Sequence, residues 1–194
     1  MKKILGLFFF STSLAFAQQA PVATTIPPMR LTSNAFPDGS IIPVKYSQAA
    51  PNAAPGTGTS PDLAWTNVPA GTQSFVLIVH DVDVTRNKNP EDNLHWIVWN
   101  IPASTTSLAE GIPSGSPMID GSYQFSATGP VYRGPGAPAS GPLHHYVFEI
   151  YALDNKIDIK PLADAFETRK EVLKVIEGHV LSKGGYFGLF KRPQ

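Results

Sequence analysis

The sequence predicts an all-β sandwich with a helical C-terminal end. Three observations carry this. The runs SFVLIVHDVD (74–83), LHWIVWNIP (94–102) and HHYVFEIYALD (144–154) are dense in β-branched and aromatic residues and end in turn formers or acids. Gly and Pro together make 35 of the 194 residues without a collagen period, which fits β structure joined by long, rigid loops. The 3.6-residue apolar period occurs only late in the chain, over residues 168–180.

Along the chain, Lys2 and Lys3 precede an apolar run from Ile4 towards Leu14, and Ala15-Phe16-Ala17 has the small-x-small form of a signal-peptidase site. The run is short for a bilayer span of about 20 residues. The expectation is a signal peptide over 1–17, cleaved after Ala17, and an exported protein, periplasmic or secreted, with no transmembrane segment in the mature chain. Residues 18–30, with three prolines and no periodicity, read as a flexible N-terminal arm. Residues 31–194 are expected to form one domain.

Within that domain Pro37-Asp38-Gly39 is a turn leading to the short apolar run Ile41–Val44, and residues 49–62 are a loop by composition. Residues 111–143 hold few strand signals. Thr168 followed by Glu171 has the spacing of a capping box, in which hydroxyl and carboxylate satisfy free N–H groups at a helix start. Val172, Leu173, Val175, Ile176 and Val180 would form the apolar face, and Gly184-Gly185 would end the helix.

The whole chain carries 15 basic and 15 acidic residues. Loss of residues 1–17 leaves 13 against 15, too balanced for a nucleic-acid footprint. Absence of cysteine excludes disulfides, thiol catalysis and Cys-ligated zinc. No G-x-S-x-G elbow or H-E-x-x-H motif occurs, and the histidine spacing follows no metal-ligand template. Neither a cofactor nor a metal is expected.

The residues that could carry chemistry lie at strand ends. If the first strand stays regular, Asp81 and Asp83 share a face with Phe75, Leu77 and Val79. His95 has the parity of Ile97 and Trp99, opposite Trp96 and Val98. His144 shares a face with Tyr146, and His145 points away. The loop TGPVYRGPGAPASGP (128–142) precedes His144; its prolines fix the backbone and its glycines allow close approach, so it suits a pocket wall with exposed N–H groups.

Taken together, SPDLAWTNVPAGTQSFVLIVHDVD (60–83), LHWIVWNIP (94–102), YRGPGAPASGPLHHYVFEIYALD (132–154) and IEGHVLSKG (176–184) resemble the phosphatidylethanolamine-binding protein family, in its bacterial Raf-kinase-inhibitor-like branch. With a weaker match at FPDGSIIPVKYS the resemblance spans roughly residues 31–190. It implies a β-sandwich of a large and a smaller antiparallel sheet, and a small pocket at one end that accepts phosphate or a phospholipid head group. Carried over, the pocket residues are Asp81, Asp83, His95, Gly134, Pro135, His144 and Tyr146. The family's Asp-Pro-Asp-x-Pro is here Asp81-Val82-Asp83-Val84-Thr85, without either proline, and the polar TRNKNPEDN insert (85–93) is expected to reshape the pocket edge.

The expected function is therefore a non-enzymatic binding protein for a small anion. The alternatives are an interaction module that inhibits a protease or kinase through its loops, and an Asp/His-dependent hydrolase. Either His95 and His144, held protonated or oriented by Asp81 and Asp83, donate to the anion, or an aspartate accepts from a head-group ammonium while histidine and loop N–H groups take the phosphate; under both, acidification through the ordinary histidine range, about pH 6.5, is expected to strengthen binding.

Overall fold

The computed structural model describes residues 27–194. The expected leader and residues 18–26 of the expected arm lie outside them. The elements in order are β1 (Arg30–Thr32), a 3-10 turn (Val44–Tyr46), β2 (Leu63–Thr66), β3 (Ser74–Arg86), β4 (Asn89–Pro102), β5 (Ser107–Leu108), β6 (Tyr123–Phe125), β7 (His144–Leu153), α1 (Ala165–Val175) and β8 (Val180–Phe190). All strand pairings within the sheets are antiparallel. One sheet has the order β1-β2-β5 and the other β6-β4-β3-β7-β8. The expected sandwich of a smaller and a larger antiparallel sheet, with a helix near the C-terminus, is what forms.

Two buried layers explain the strand composition. Phe75, Leu77, Val79, Trp96, Val98, Phe148 and Ile150 face the small sheet and its flanking loops, together with Leu63, Trp65 and Phe36. Val76, Ile78, Leu94, Ile97 and Trp99 face the other way, against Ala165 and Val172 of α1 and Ile176, its C-cap. The central strands are covered on both faces and so read as continuous apolar runs. Each fully buried Leu, Ile or Phe of this kind contributes roughly 1.5–3 kcal/mol of transfer free energy.

Several sequence expectations are corrected. The arm is docked before residue 31: Met29 is buried in the inter-sheet core and Arg30 already pairs with Thr66, because burying the Met29 side chain there removes it from water. The insert at 85–93 reaches the pocket edge only through Asn93, at its end. It continues β3 into β4 through Asn87-Lys88, both at positive φ (50° and 58°), the conformation of a tight two-residue hairpin turn. The helix begins earlier than the Thr168–Glu171 pattern suggests. Asp164 is its N-cap, accepting from the Phe166 and Glu167 N–H groups, while the Thr168 hydroxyl donates back to the Asp164 carbonyl. Its buried positions are Ala165, Thr168, Arg169 and Val172; Leu173, Val175 and Val180 are exposed.

The helix also ends well before Gly184-Gly185. Those glycines sit inside β8, which pairs with β7 from His144↔Phe190 to Leu153↔Val180. Gly184 and Gly188 have to be small because the N-terminal segment crosses β8 closely. A Cβ on Gly188 would lie 2.5 Å from Ile42 Cγ1 and 2.7 Å from the Phe36 ring, and one on Gly184 would lie 3.0 Å from the Met29 carbonyl oxygen.

Candidate functional site

Strands β4, β3 and β7 are adjacent, so their ends deliver side chains to one place. Asp81 is opposite Asn93 on one side and Tyr146 on the other. Between the pairs Val79↔Trp96 and His80↔Leu94, β4 carries one extra residue, His95. This bulge overturns the expected parity: His95 does not share the face of Ile97 and Trp99. A bulged residue is turned out of the regular alternation, and the His95 ring packs edge-on against Tyr146, 5.0 Å between centroids, on the inter-sheet side. Another bulge, at Asn100 (φ 58°), returns Ile101 to that same side.

The cavity at these strand ends holds about 270 Å³ and is lined by Asp81, His95, His144 and Tyr146 together with Gln48, Asn93, Gly136, Arg133 and Arg192. Asp81 is only 2 % exposed; its Oδ2 accepts from His144 Nδ1 at 2.8 Å, and its Oδ1 accepts from the Asp83 N–H at 3.1 Å. Asp83 does not line the cavity. Its Oδ2 takes the backbone N–H and the ring Nδ1 of His145, at 2.5 and 2.9 Å. Burial acts to raise the Asp83 pKa, but these His145 hydrogen bonds outweigh it and hold the carboxyl below its ordinary value. The two adjacent histidines are thus divided between the two aspartates, with His144 facing the cavity and His145 half exposed outside it.

His95 is held differently from the expectation that an aspartate orients it. Its Nδ1 lies 3.0 Å from the Arg133 carbonyl and 3.1 Å from that of Gly134, and its Nε2 lies 3.1 Å from Asn93 Nδ2. Two carbonyls around Nδ1 require the proton there, which leaves Nε2 to accept from the amide. Burial pushes its pKa down to about 4, against the raising effect of those carbonyls, so the ring is neutral near pH 7. It orders the loop and does not supply charge.

Gly134 and Pro135 stand behind the lining. A Cβ on Gly134 would come within 2.7 Å of the Ser47 backbone, and the Gly134 and Pro135 carbonyls accept from the side chain and backbone N–H of Gln48 at 2.7 and 2.9 Å. Tyr146 closes the wall: its hydroxyl accepts from the N–H groups of Gly136 and Ala137, both at 3.1 Å. Those loop N–H groups were expected to face a ligand, and they are turned inward instead.

Sequence reasoning missed Arg133, Arg192, Gln48 and Asn93. Arg133 carried a usable signal, a lone cation inside a Gly/Pro loop. Arg192 carried none, since only the end of β8 brings the chain terminus to the cavity. Among the described residues Asp81, Asp83 and His144 each offer one ligand atom within 4.8 Å of the others, the group that could gather a cation. As they stand, both carboxylates are committed to imidazoles.

A larger cavity, about 510 Å³, lies on the opposite face between the sheet and α1. Its charges neutralise one another: His80 Nδ1 meets Asp92 at 2.5 Å, Asp92 meets Arg169 at 2.5 Å, and Glu149 meets Lys183 at 3.2 Å. His80 Nε2 is 3.4 Å from Glu149 without hydrogen-bond geometry. The smaller cavity is therefore the better site: it is the one where cations lack carboxylate partners.

The strand-end cluster can be compared with known proteins. A model of the family described as phosphatidylethanolamine-binding protein matches residues 32–191. The chain belongs to this family. It is 37% identical over 166 residues to a UPF0098 protein of Methanothermobacter thermautotrophicus, covering 84% of this chain and 99% of that one. It is 39% identical over 137 residues to the UPF0098 protein YbhB of Escherichia coli, covering 68% and 82%. Among solved structures, a phosphatidylethanolamine-binding protein homologue from Chlamydia trachomatis superposes with a TM-score of 0.68 at 30% identity, covering 86% of this chain and 99% of that one. YbcL of E. coli superposes with a TM-score of 0.71 at 25% identity, covering 86% and 100%. The family match spans both sheets and every residue of the strand-end cavity except Arg192.

Proposed function

We propose that this member of the family is an exported binding protein whose strand-end cavity takes a small anion, either phosphate or the phosphate of a phospholipid head group. The observation that carries the reading is the convergence of His144, Arg133 and Arg192 on one small cavity in which, among the described residues, the one lining carboxylate, Asp81, is already paired to His144. An anion entering there meets donors without having to displace an existing ion pair. The family name points to the same class of ligand.

Among the described lining residues the groups able to attack a substrate are Asp81, His144 and Tyr146, and the first two are paired with each other, which favours capture over covalent chemistry. The Asp81–His144 pair favours one second reading, a hydrolase in which His144 activates water. That reading requires turnover of phosphoester or ester substrates that disappears in Asp81→Asn.

Thermal unfolding with increasing phosphate or phosphoethanolamine tests the proposal. Ligand at 100 times its Kd should stabilise the protein by about 2.7 kcal/mol. His144→Ala should remove most of that shift while leaving the unliganded transition in place. Absence of stabilisation by any anion would exclude the binding role. Export is tested by fractionation and by the mass of the mature chain, expected to begin at Gln18.

A further inference from the structure

We propose that the cavity between the large sheet and α1 is a second binding site, separate from the strand-end cavity, for a small neutral molecule with an apolar body and one hydrogen-bond acceptor, a carbonyl or ether oxygen.

Size and walls come first. The cavity holds about 510 Å³, within the roughly 300–1,000 Å³ of small-molecule sites. Its apolar surface comes from Ile78 and Tyr151 on the sheet and from Phe166 and Leu173 on α1. Leu173 is 37 % exposed although it borders the cavity. An apolar body lying against these four side chains is removed from water together with them. The walls are preformed. Arg169 ties α1 to both the carboxylate and the carbonyl of Asp92, and the Arg86 guanidinium stacks on the Phe166 ring.

One donor in the lining lacks an acceptor. His80 Nδ1 meets the Asp92 carboxylate at 2.5 Å, but its Nε2 is shielded from solvent and has no hydrogen-bond partner. Glu149 Oε2 lies 3.4 Å from it and accepts instead from the Tyr151 hydroxyl, at 2.8 Å. Burial acts to lower the His80 pKa, yet the Asp92 hydrogen bond and the charges of Asp92 and Glu149 raise it to about 9. The ring therefore carries both protons at neutral pH, and Nε2 is a donor. A buried donor left unpaired is costly, and a ligand oxygen that displaces the half-buried Glu149 side chain to reach it offsets that cost.

The surroundings decide which oxygen fits. His80 and Arg169 share Asp92, and Glu149 is balanced by Lys183. At the rim two lysines, Lys170 and Lys174, are matched by two glutamates, Glu91 and Glu177. An anionic group at His80 Nε2 is pushed against Asp92 and Glu149, and a cationic one against the imidazolium and the Arg169 guanidinium. A neutral acceptor takes the free proton and leaves every ion pair intact.

The test is a heteronuclear NMR titration of the protein as its host produces it, with four probes built on one phenylalkyl body. Benzylacetone is the neutral ketone, butylbenzene lacks an acceptor, phenylbutyrate is the anion and phenylbutylamine the cation. Benzylacetone should shift the amides of Tyr151, Phe166 and Leu173 and bind at least about tenfold more tightly than butylbenzene, the worth of one hydrogen bond to a charged donor. The two charged probes should bind no better than butylbenzene. Leu173→Asp, a change at an exposed helix position, should abolish benzylacetone binding. In His80→Leu the ketone should fall to the level of butylbenzene; if that variant does not fold, the wild-type comparison of the two probes measures the same hydrogen bond. His144→Ala should leave benzylacetone binding unchanged, so that loss of this site and loss of the anion site are read separately. No shift with any probe, wild-type affinity in Leu173→Asp, or shifts confined to the strand-end residues would overturn the site. Equal binding of all four probes, or tighter binding of either charged probe, would overturn the ligand class.

Discussion

Tyr146 does more for the site than its place in the lining suggests. Its hydroxyl satisfies two consecutive loop N–H groups, its ring supports His95, and burial raises its pKa well above the ordinary phenol value, with the loop N–H groups opposing. Tyr146→Phe would leave the Gly136 and Ala137 N–H groups without an acceptor. Denaturant unfolding should reveal a loss of about 1–3 kcal/mol. A loss below a few tenths would mean that water replaces the hydroxyl. The neighbouring histidines make the opposite comparison. His145→Ala removes a half-exposed pair with Asp83 and should change stability by less than about 1 kcal/mol and leave anion binding intact. His144→Ala should abolish binding.

At the scale of elements, α1 depends on contacts that its apolar stripe alone does not supply. Asp164 caps its first turn, and Arg169 reaches Asp92 on β4 with both Nη atoms, at 2.5 Å to the carboxylate and 3.2 Å to the carbonyl. Asp164→Ala should lower stability by about 1 kcal/mol and increase amide exchange in the first helical turn. β8 offers a packing test. Gly188→Ala drives a methyl into Ile42 and Phe36, so overpacking should cost about 1–3 kcal/mol. A neutral result in chemical denaturation would show that the N-terminal segment can move off β8.

For the molecule as a whole, two histidines on opposite faces of one sheet set the pH response. Burial alone would lower the His80 pKa, but the Asp92 hydrogen bond and the charges of Asp92 and Glu149 prevail and raise it to about 9. Its contribution is therefore full below the unfolded value of about 6.5 and is lost as pH rises through about 9. His95, lowered by burial to about 4, behaves in the reverse sense: its contribution is full above about 6.5 and is lost as pH falls through about 4. Each window corresponds to roughly 3 kcal/mol. Urea unfolding across the pH range should therefore give a maximum near pH 6.5 from these two groups, and His80→Gln should flatten its alkaline side. An unchanged alkaline slope in that variant would assign the decline to other groups.

Alternation and composition by themselves determined three of the four long strands (β3, β4 and β7), the faces of β3 and β7, the separation of His144 from His145, and the presence of one late helix. They could do so because a strand buried on both faces, or an amphipathic stretch, writes its environment into local residue choice. The short strands β5 and β6 have too few residues to show a period, and the glycines that let β8 pass the N-terminal segment look like a helix stop. Asp164 three residues before Glu167 was as good a capping signal as Thr168 before Glu171; which one starts the helix was decided by the face that packs on β4. His95 reached the cavity through a bulge, which alternation cannot anticipate because one inserted residue reverses every parity beyond it. The family resemblance also marked Asp81, His95, His144 and Tyr146 as a group. Only the tertiary structure decided that Asp83 stands outside the cavity, that His95 is neutral and that the loop N–H groups face inward. The same structure brought Arg133 and Arg192 together from 59 positions apart to carry the positive charge. Hydrogen-bond partners and charge balance are set by proximity in space, and proximity between distant residues has no period along the chain.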